Sequence, residues 1–155
     1  MKKLLSVFSI MFFVSCGIAS AQGFTNQSID GKYGAQAIYG DNEGAGVGVI
    51  NGSGNGNVSG TFTVNVPGWG LKRTILTATV EGTYTVNSVG TLLLSFKVTF
   101  ENGISLDESA DCVIMQADDN KLATEVSCVG REALTPLRGF KRGGTLIMTF
   151  KRLPD

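Results

Sequence analysis

Gly60-Thr61-Phe62-Thr63-Val64-Asn65 and Gly82-Thr83-Tyr84-Thr85-Val86-Asn87 are two copies of one pattern: glycine, threonine, aromatic, threonine, valine, asparagine. Alternating β-branched and aromatic residues mark extended strands, and the glycines and asparagines around them mark turns. Two such strands in one short span predict a chain that meanders back and forth in antiparallel pairs.

Working outward, the same alternation recurs along the chain. Lys32–Tyr39 and Ala45–Asn51 read as strands, followed by the turn-forming run Gly52-Ser53-Gly54-Asn55-Gly56-Asn57. Val58–Val66 puts Val58, Phe62, Val64 and Val66 on one face and Ser59, Thr61, Thr63 and Asn65 on the other. Pro67-Gly68-Trp69-Gly70 makes a turn. Leu71–Val80 then runs towards Gly82–Asn87 with an expected break at Glu81-Gly82. Thr91–Phe100 lines up Leu92, Leu94, Phe96, Val98 and Phe100. Ser109–Met115 and Leu122–Val129 flank the turn cluster Asp118-Asp119-Asn120; Arg131–Gly144 reads as irregular, and Thr145–Arg152 closes the series. Eight or nine short strands with regular turn signals predict an all-β, single-domain, antiparallel up-and-down barrel, with a sandwich as the other arrangement of such a count. A closed barrel also removes the exposed edges that so long a meander would carry.

The first 21 residues have a separate character. Lys2 and Lys3 precede an apolar run from Leu4 to Val14, and Ala19-Ser20-Ala21 forms a small-x-small cleavage pattern. This predicts a signal peptide over 1–21 and a barrel domain over 22–155, exported to a periplasm or secreted. The run is too short to span a bilayer. Lipid attachment at Cys16 is the lesser alternative, because Phe13 stands where a lipoprotein box carries leucine.

Export leaves Cys112 and Cys128 in an oxidising compartment, where a disulfide is the default. Asn120 lies midway between them, so a hairpin centred there sets the two cysteines opposite each other. No Cys-x-x-Cys spacing points to redox work.

Composition narrows the chemistry. Thirteen basic and thirteen acidic residues balance, and loss of Lys2 and Lys3 leaves a slight acidic excess, which argues against nucleic acid as a partner. Arg131, Arg138, Lys141, Arg142, Lys151 and Arg152 cluster late in the chain and read first as solvated strand ends, second as an anion patch. No histidine is present, so a Ser-His-Asp or Cys-His system cannot be built, and zinc and copper sites lose their main ligand. The sequence implies no cofactor and no metal. The glycine clusters Gly44–Gly48 and Gly52–Gly56 lack the Lys-Ser/Thr and the helix of a phosphate loop.

The candidate site residues come from the barrel interior. The segment from Leu71 is ambiguous: either Leu71, Arg73, Ile75, Thr77, Thr79 and Glu81 face inward, or Lys72, Thr74, Leu76, Ala78 and Val80 do. In the first case Arg73 and Glu81 reach the lumen, where burial would raise the Glu81 pKa towards acid–base work. In the second, Glu81 stands in water beside a glycine turn, the reading favoured because carboxylates are seldom buried unpaired. Tyr33, Tyr39, Tyr84 and Phe96 are the aromatics expected to line a pocket, with Trp69 in a turn.

The stretches Gly54-Asn55-Gly56-Asn57-Val58-Ser59-Gly60 and Gly82-Thr83-Tyr84-Thr85-Val86-Asn87-Ser88-Val89-Gly90-Thr91 resemble a group of small exported bacterial proteins whose barrel is similar to that of allene oxide cyclase, within the calycin-like set. The resemblance covers roughly residues 30 to 100 and rests on strand and turn residues. It implies a lumen that holds a small apolar ligand. It implies too that some relatives cyclise or isomerise such molecules, with a glutamate and ordered water as polar helpers. The lipocalin Gly-x-Trp signature is absent from the start of the barrel. The leading expectation is therefore a binder of one small hydrophobic molecule. The alternatives are a cofactor-independent cyclase or isomerase using Glu81 and a tyrosine, and a surface recognition protein. Oligomeric state is left open.

Overall fold

A computed structural model describes residues 23–40, 44–67, 72–132 and 145–154. Eight strands follow one another: β1 (Gly31–Tyr39), β2 (Gly44–Gly52), β3 (Asn57–Pro67), β4 (Arg73–Val86), β5 (Thr91–Phe100), β6 (Ser105–Ala117), β7 (Ala123–Glu132) and β8 (Leu146–Arg152). Each pairs antiparallel with the next, and β8 returns to β1 through Tyr33↔Arg152 to Tyr39↔Leu146, closing the barrel. The expected up-and-down barrel is the observed fold, with eight strands.

Alternation decides what goes inside. Val58, Phe62 and Val66 of β3 and Leu92, Leu94, Phe96 and Phe100 of β5 are buried, while their odd-numbered neighbours face out. In β4 the even-numbered set is internal: Ala78, Val80, Tyr84 and Val86 are buried, and Arg73, Thr79 and Glu81 are exposed. The two hexapeptides thus play one role twice. Each places Gly, aromatic and Val on the inner face, as Gly60, Phe62 and Val64 in β3 and as Gly82, Tyr84 and Val86 in β4.

The expected break at Glu81-Gly82 does not occur. β4 runs unbroken for 14 residues, with Gly82 opposite Val58 on one side and Phe96 on the other. A Cβ at Gly82 would lie 2.7 Å from the Phe96 Cα and would strike the Ser95 carbonyl oxygen. Here glycine lets the strand bend tightly against β5 instead of ending it.

Cys112 and Cys128 are directly opposed in β6 and β7 and form the disulfide, with Cα atoms 4.0 Å apart. Asp118 shapes the hairpin that brings them together: its Oδ1 accepts from the Asn120 and Leu122 backbone N–H groups at 2.9 and 2.8 Å. Closing a loop of this size stabilises by about 3 kcal/mol in the chain-entropy account. Residues 1–22, including Cys16 and the cleavage pattern, lie outside the described residues, as do Gly68, Trp69 and Gly70 of the expected turn, Leu71 at the start of the strand expected after it, and 133–144 of the expected irregular segment. Arg131 and Glu132, assigned to that segment from sequence, complete β7.

One end of the barrel is plugged. A 3-10 turn, Asn26–Ile29, folds under it and buries Ser28 and Ile29. The Tyr84 hydroxyl donates to the Asn26 carbonyl at 3.1 Å and accepts from the Gly54 N–H at 3.0 Å. Asn26 Oδ1 accepts from the Val86 N–H at 2.8 Å. The Tyr33 hydroxyl donates to the Ala123 carbonyl at 3.1 Å, and Arg152 Nη1 donates to the Asp30 carbonyl at 2.6 Å. Buried hydroxyls are satisfied and the apolar rings fill the space between.

Replacing Gly82 by alanine forces a methyl group against β5 and should cost on the order of 2 kcal/mol. Urea unfolding reads this as a lowered midpoint; an unchanged midpoint would mean that the bend at Gly82 is not sterically required.

Candidate functional site

The half of the lumen away from the plug is not filled. A cavity of about 120 Å³ lies there, towards the end where β1–β2, β3–β4 and β5–β6 turn. Its walls differ. Ala37, Gly44 and Gly46 contribute little volume from β1 and β2, whereas Phe62, Phe96, Phe100 and Phe150 stand around the rest. Small residues on one wall leave space that the large ones opposite do not reach.

Among the described residues, two of the lining side chains carry N or O atoms, Tyr39 and Glu108. Glu108 sits in β6 opposite Phe96 of β5 and is only 6% exposed. Its Oε2 has no hydrogen-bond partner among the described residues. Burial pushes its pKa up from 4.5 to about 7, because the ionised form loses hydration that nothing nearby replaces. Burial also raises the Tyr39 hydroxyl, and the Glu108 charge raises it further.

The sequence-derived candidates divide into three groups. Tyr39 and Phe96 line the cavity. Tyr33 and Tyr84 are internal but lie at the plug, where their hydroxyls tie the closing turn; the structure does not bring them to the cavity. Glu81 and Arg73 are outside. Glu81 is exposed on the outer face of β4, between Ser59 and Lys97, in mid-strand and not at a turn. Arg73 donates from Nε to Asn65 Oδ1 at 2.7 Å and from Nη2 to the Asn65 carbonyl at 2.9 Å, on the barrel exterior. The reading that turned Arg73 and Glu81 inward is corrected by parity: Ala78 and Val80 occupy the lumen, so residues of odd number in β4 cannot.

The carboxylate that does face inward is Glu108, which the reading of the sequence did not single out. A signal for it was available. Leu106, Glu108, Ala110 and Cys112, which is bridged to its neighbour Cys128 on β7, share one parity in β6, and the apolar members of that set mark it as internal. Asp107 and Asp111, of opposite parity, take exterior ion pairs with Lys97 at 3.8 Å and Arg131 at 2.7 Å.

Of the late basic cluster, Arg131 pairs with Asp111, Lys151 with Glu125 at 3.5 Å, and Arg152 holds the Asp30 carbonyl. Arg138, Lys141 and Arg142 lie outside the described residues. Exposed Ile38, Ile147 and Val129 stand side by side on the outer face as cross-strand partners. Among the described residues, no cluster of His, Cys, Asp or Glu is arranged for a metal ion, and no helix is long and apolar enough to cross a membrane.

No family model matches this chain. No curated protein matches it either. Among solved structures, that of EF1p2_mFAP2b bound to DFHBI is similar with a TM-score of 0.52 and 13% identity, covering 82% of this chain and 95% of that one. A redesigned beta barrel, b11L5F_LGL, aligns over 83% of this chain and 95% of its own with a TM-score of 0.44 and 12% identity. At such identities the first likeness is one of barrel fold.

The buried carboxyl makes stability depend on pH. Its folded pKa lies above the unfolded one, so the folded state binds the extra proton and stability falls as pH rises from about 4.5 to about 7. The loss attributable to this group is on the order of 3 kcal/mol. Urea unfolding at pH 5 and pH 8 should show it in the wild type and not in Glu108→Gln; equal pH profiles for the two would place Glu108 in water.

Proposed function

We propose that this chain is an exported barrel that binds one small hydrophobic molecule in its lumen. The observation that carries the reading is the apolar cavity beside Glu108. Its size, about 120 Å³, suits a single ring or a short branched chain; a dry apolar cavity of about 150 Å³ takes up benzene. The similar barrel of EF1p2_mFAP2b is bound to DFHBI, which supports a ligand-holding use of such a lumen. Kinship with the allene-oxide-cyclase-like exported barrels belongs to the same reading and rests on the turn and strand residues between 54 and 91. Residues 1–21 serve as the signal peptide, and the Cys112–Cys128 disulfide suits the oxidising compartment to which export leads.

A second reading, turnover by a cyclase or isomerase, needs an acid or base against the ligand. Glu81 stands in the wrong place for that. Glu108 is the group that would serve, since its pKa of about 7 suits proton transfer near neutrality.

Native mass spectrometry of protein purified from its own host should find a small apolar compound released at about one per chain. Ala37→Phe, which grows into the cavity from β1, should abolish that signal, and Val49→Phe on the outer face should not. Retention by Ala37→Phe would move the ligand out of the lumen.

The export reading has its own check. The intact mass of the purified protein should correspond to a chain that starts at Gln22 and carries the disulfide. A lipid-bearing mass starting at Cys16 would favour the anchored alternative.

A further inference from the structure

Resting on lumenal binding, we propose that Glu108 selects, among small apolar molecules, those with a single hydrogen-bond acceptor such as a ketone carbonyl, its carboxyl being the donor. Glu108 is only 6% exposed, lies opposite Phe96 in the β5–β6 ladder and shares the cavity wall with Leu106 and other apolar residues, and its Oε2 has no hydrogen-bond partner among the described residues. A plain hydrocarbon in the cavity leaves that carboxyl unmatched. A buried polar group without a hydrogen bond is costly, so a ligand that supplies the missing partner gains over one that does not.

The choice between acceptor and cation follows from counting donors. An ammonium brings three N–H donors, and Glu108 alone cannot take them all. The other polar side chain on the cavity wall is Tyr39 of β1. Lys97 and Asp107 on β5 and β6, and the Arg131–Asp111 pair between β6 and β7, lie on the outer surface, away from the cavity. A carbonyl asks for less: one O–H donor satisfies it. Entry of an apolar guest also removes water from the carboxyl, which favours its neutral, donating form. Binding of a ketone therefore holds the Glu108 proton in place, with no bond made or broken.

Three molecules of nearly equal shape separate the possibilities: cyclohexanone, methylenecyclohexane and cyclohexylamine, titrated into the mature protein by NMR at pH 5.5 and pH 8.5. Cyclohexanone should bind about tenfold tighter than methylenecyclohexane at pH 5.5 and lose most of that advantage at pH 8.5, where Glu108 ionises. Glu108→Gln, whose amide still donates, should keep the ketone preference at both pH values. Glu108→Leu should bind the two equally. Equal binding of ketone and hydrocarbon by the wild type overturns the selectivity and leaves lumenal binding standing. So does tightest binding of cyclohexylamine, strengthening towards pH 8.5. If none of the three enters, the lumenal reading itself falls, and this one with it.

Discussion

Closure of β8 onto β1 is the constraint on which everything else rests. Once the ladder is complete, every strand has a hydrogen-bonded neighbour on each side, and the side chains along it alternate between the lumen and the solvent. No strand can slip by one residue without exchanging its inner and outer sets. In β6 such a slip would expose Leu106, Ala110 and Cys112 and drive Asp107 and Asp111 inward, and the bridge to Cys128 forbids it. The same parity that brings the two cysteines together is what commits Glu108 to an apolar interior. A carboxyl in so unfavourable a place is held there by the geometry of its neighbours and not by any attraction of its own.

The lumen is then divided by what its inner residues can fill. Near the plug, Tyr33 and Tyr84 are long enough to cross the interior and end on backbone partners, so rings and hydroxyls are both accounted for. Towards the other end four phenylalanines and Tyr39 line the lumen, and β1 and β2 add only the small residues Ala37, Gly44 and Gly46 beside them. Close packing cannot be completed from such a set, and the remaining space meets the one inward carboxyl.

How much of this was legible in the sequence depends on how one-sided each strand is. β3 and β5 alternate between apolar and polar residues, and their inner faces could be assigned from residues 58–66 and 91–100 alone. β4 could not, because Arg73–Glu81 and Lys72–Val80 each mix apolar and polar side chains; only pairing to β3 and β5 settles that Val80 is inside. Gly82 misled for a related reason: glycine marks turns, yet here it permits a close approach of strands that a single sequence does not display. The tyrosines could be recognised as internal, but whether a ring closes an end or lines a cavity depends on its level along the barrel axis. That level follows from strand stagger, which is a property of pairs. Glu108 was hidden among other carboxylates until the parity it shares with Leu106, Ala110 and Cys112 was applied to it.

The plug at Asn26–Ile29 has a consequence for traffic. The tyrosine hydroxyls and Asn26 close that end, so the barrel offers no straight passage along its axis. Under the proposed lumenal binding, a guest could not be pushed out through the plug by a newcomer, and its own release would set the pace of exchange.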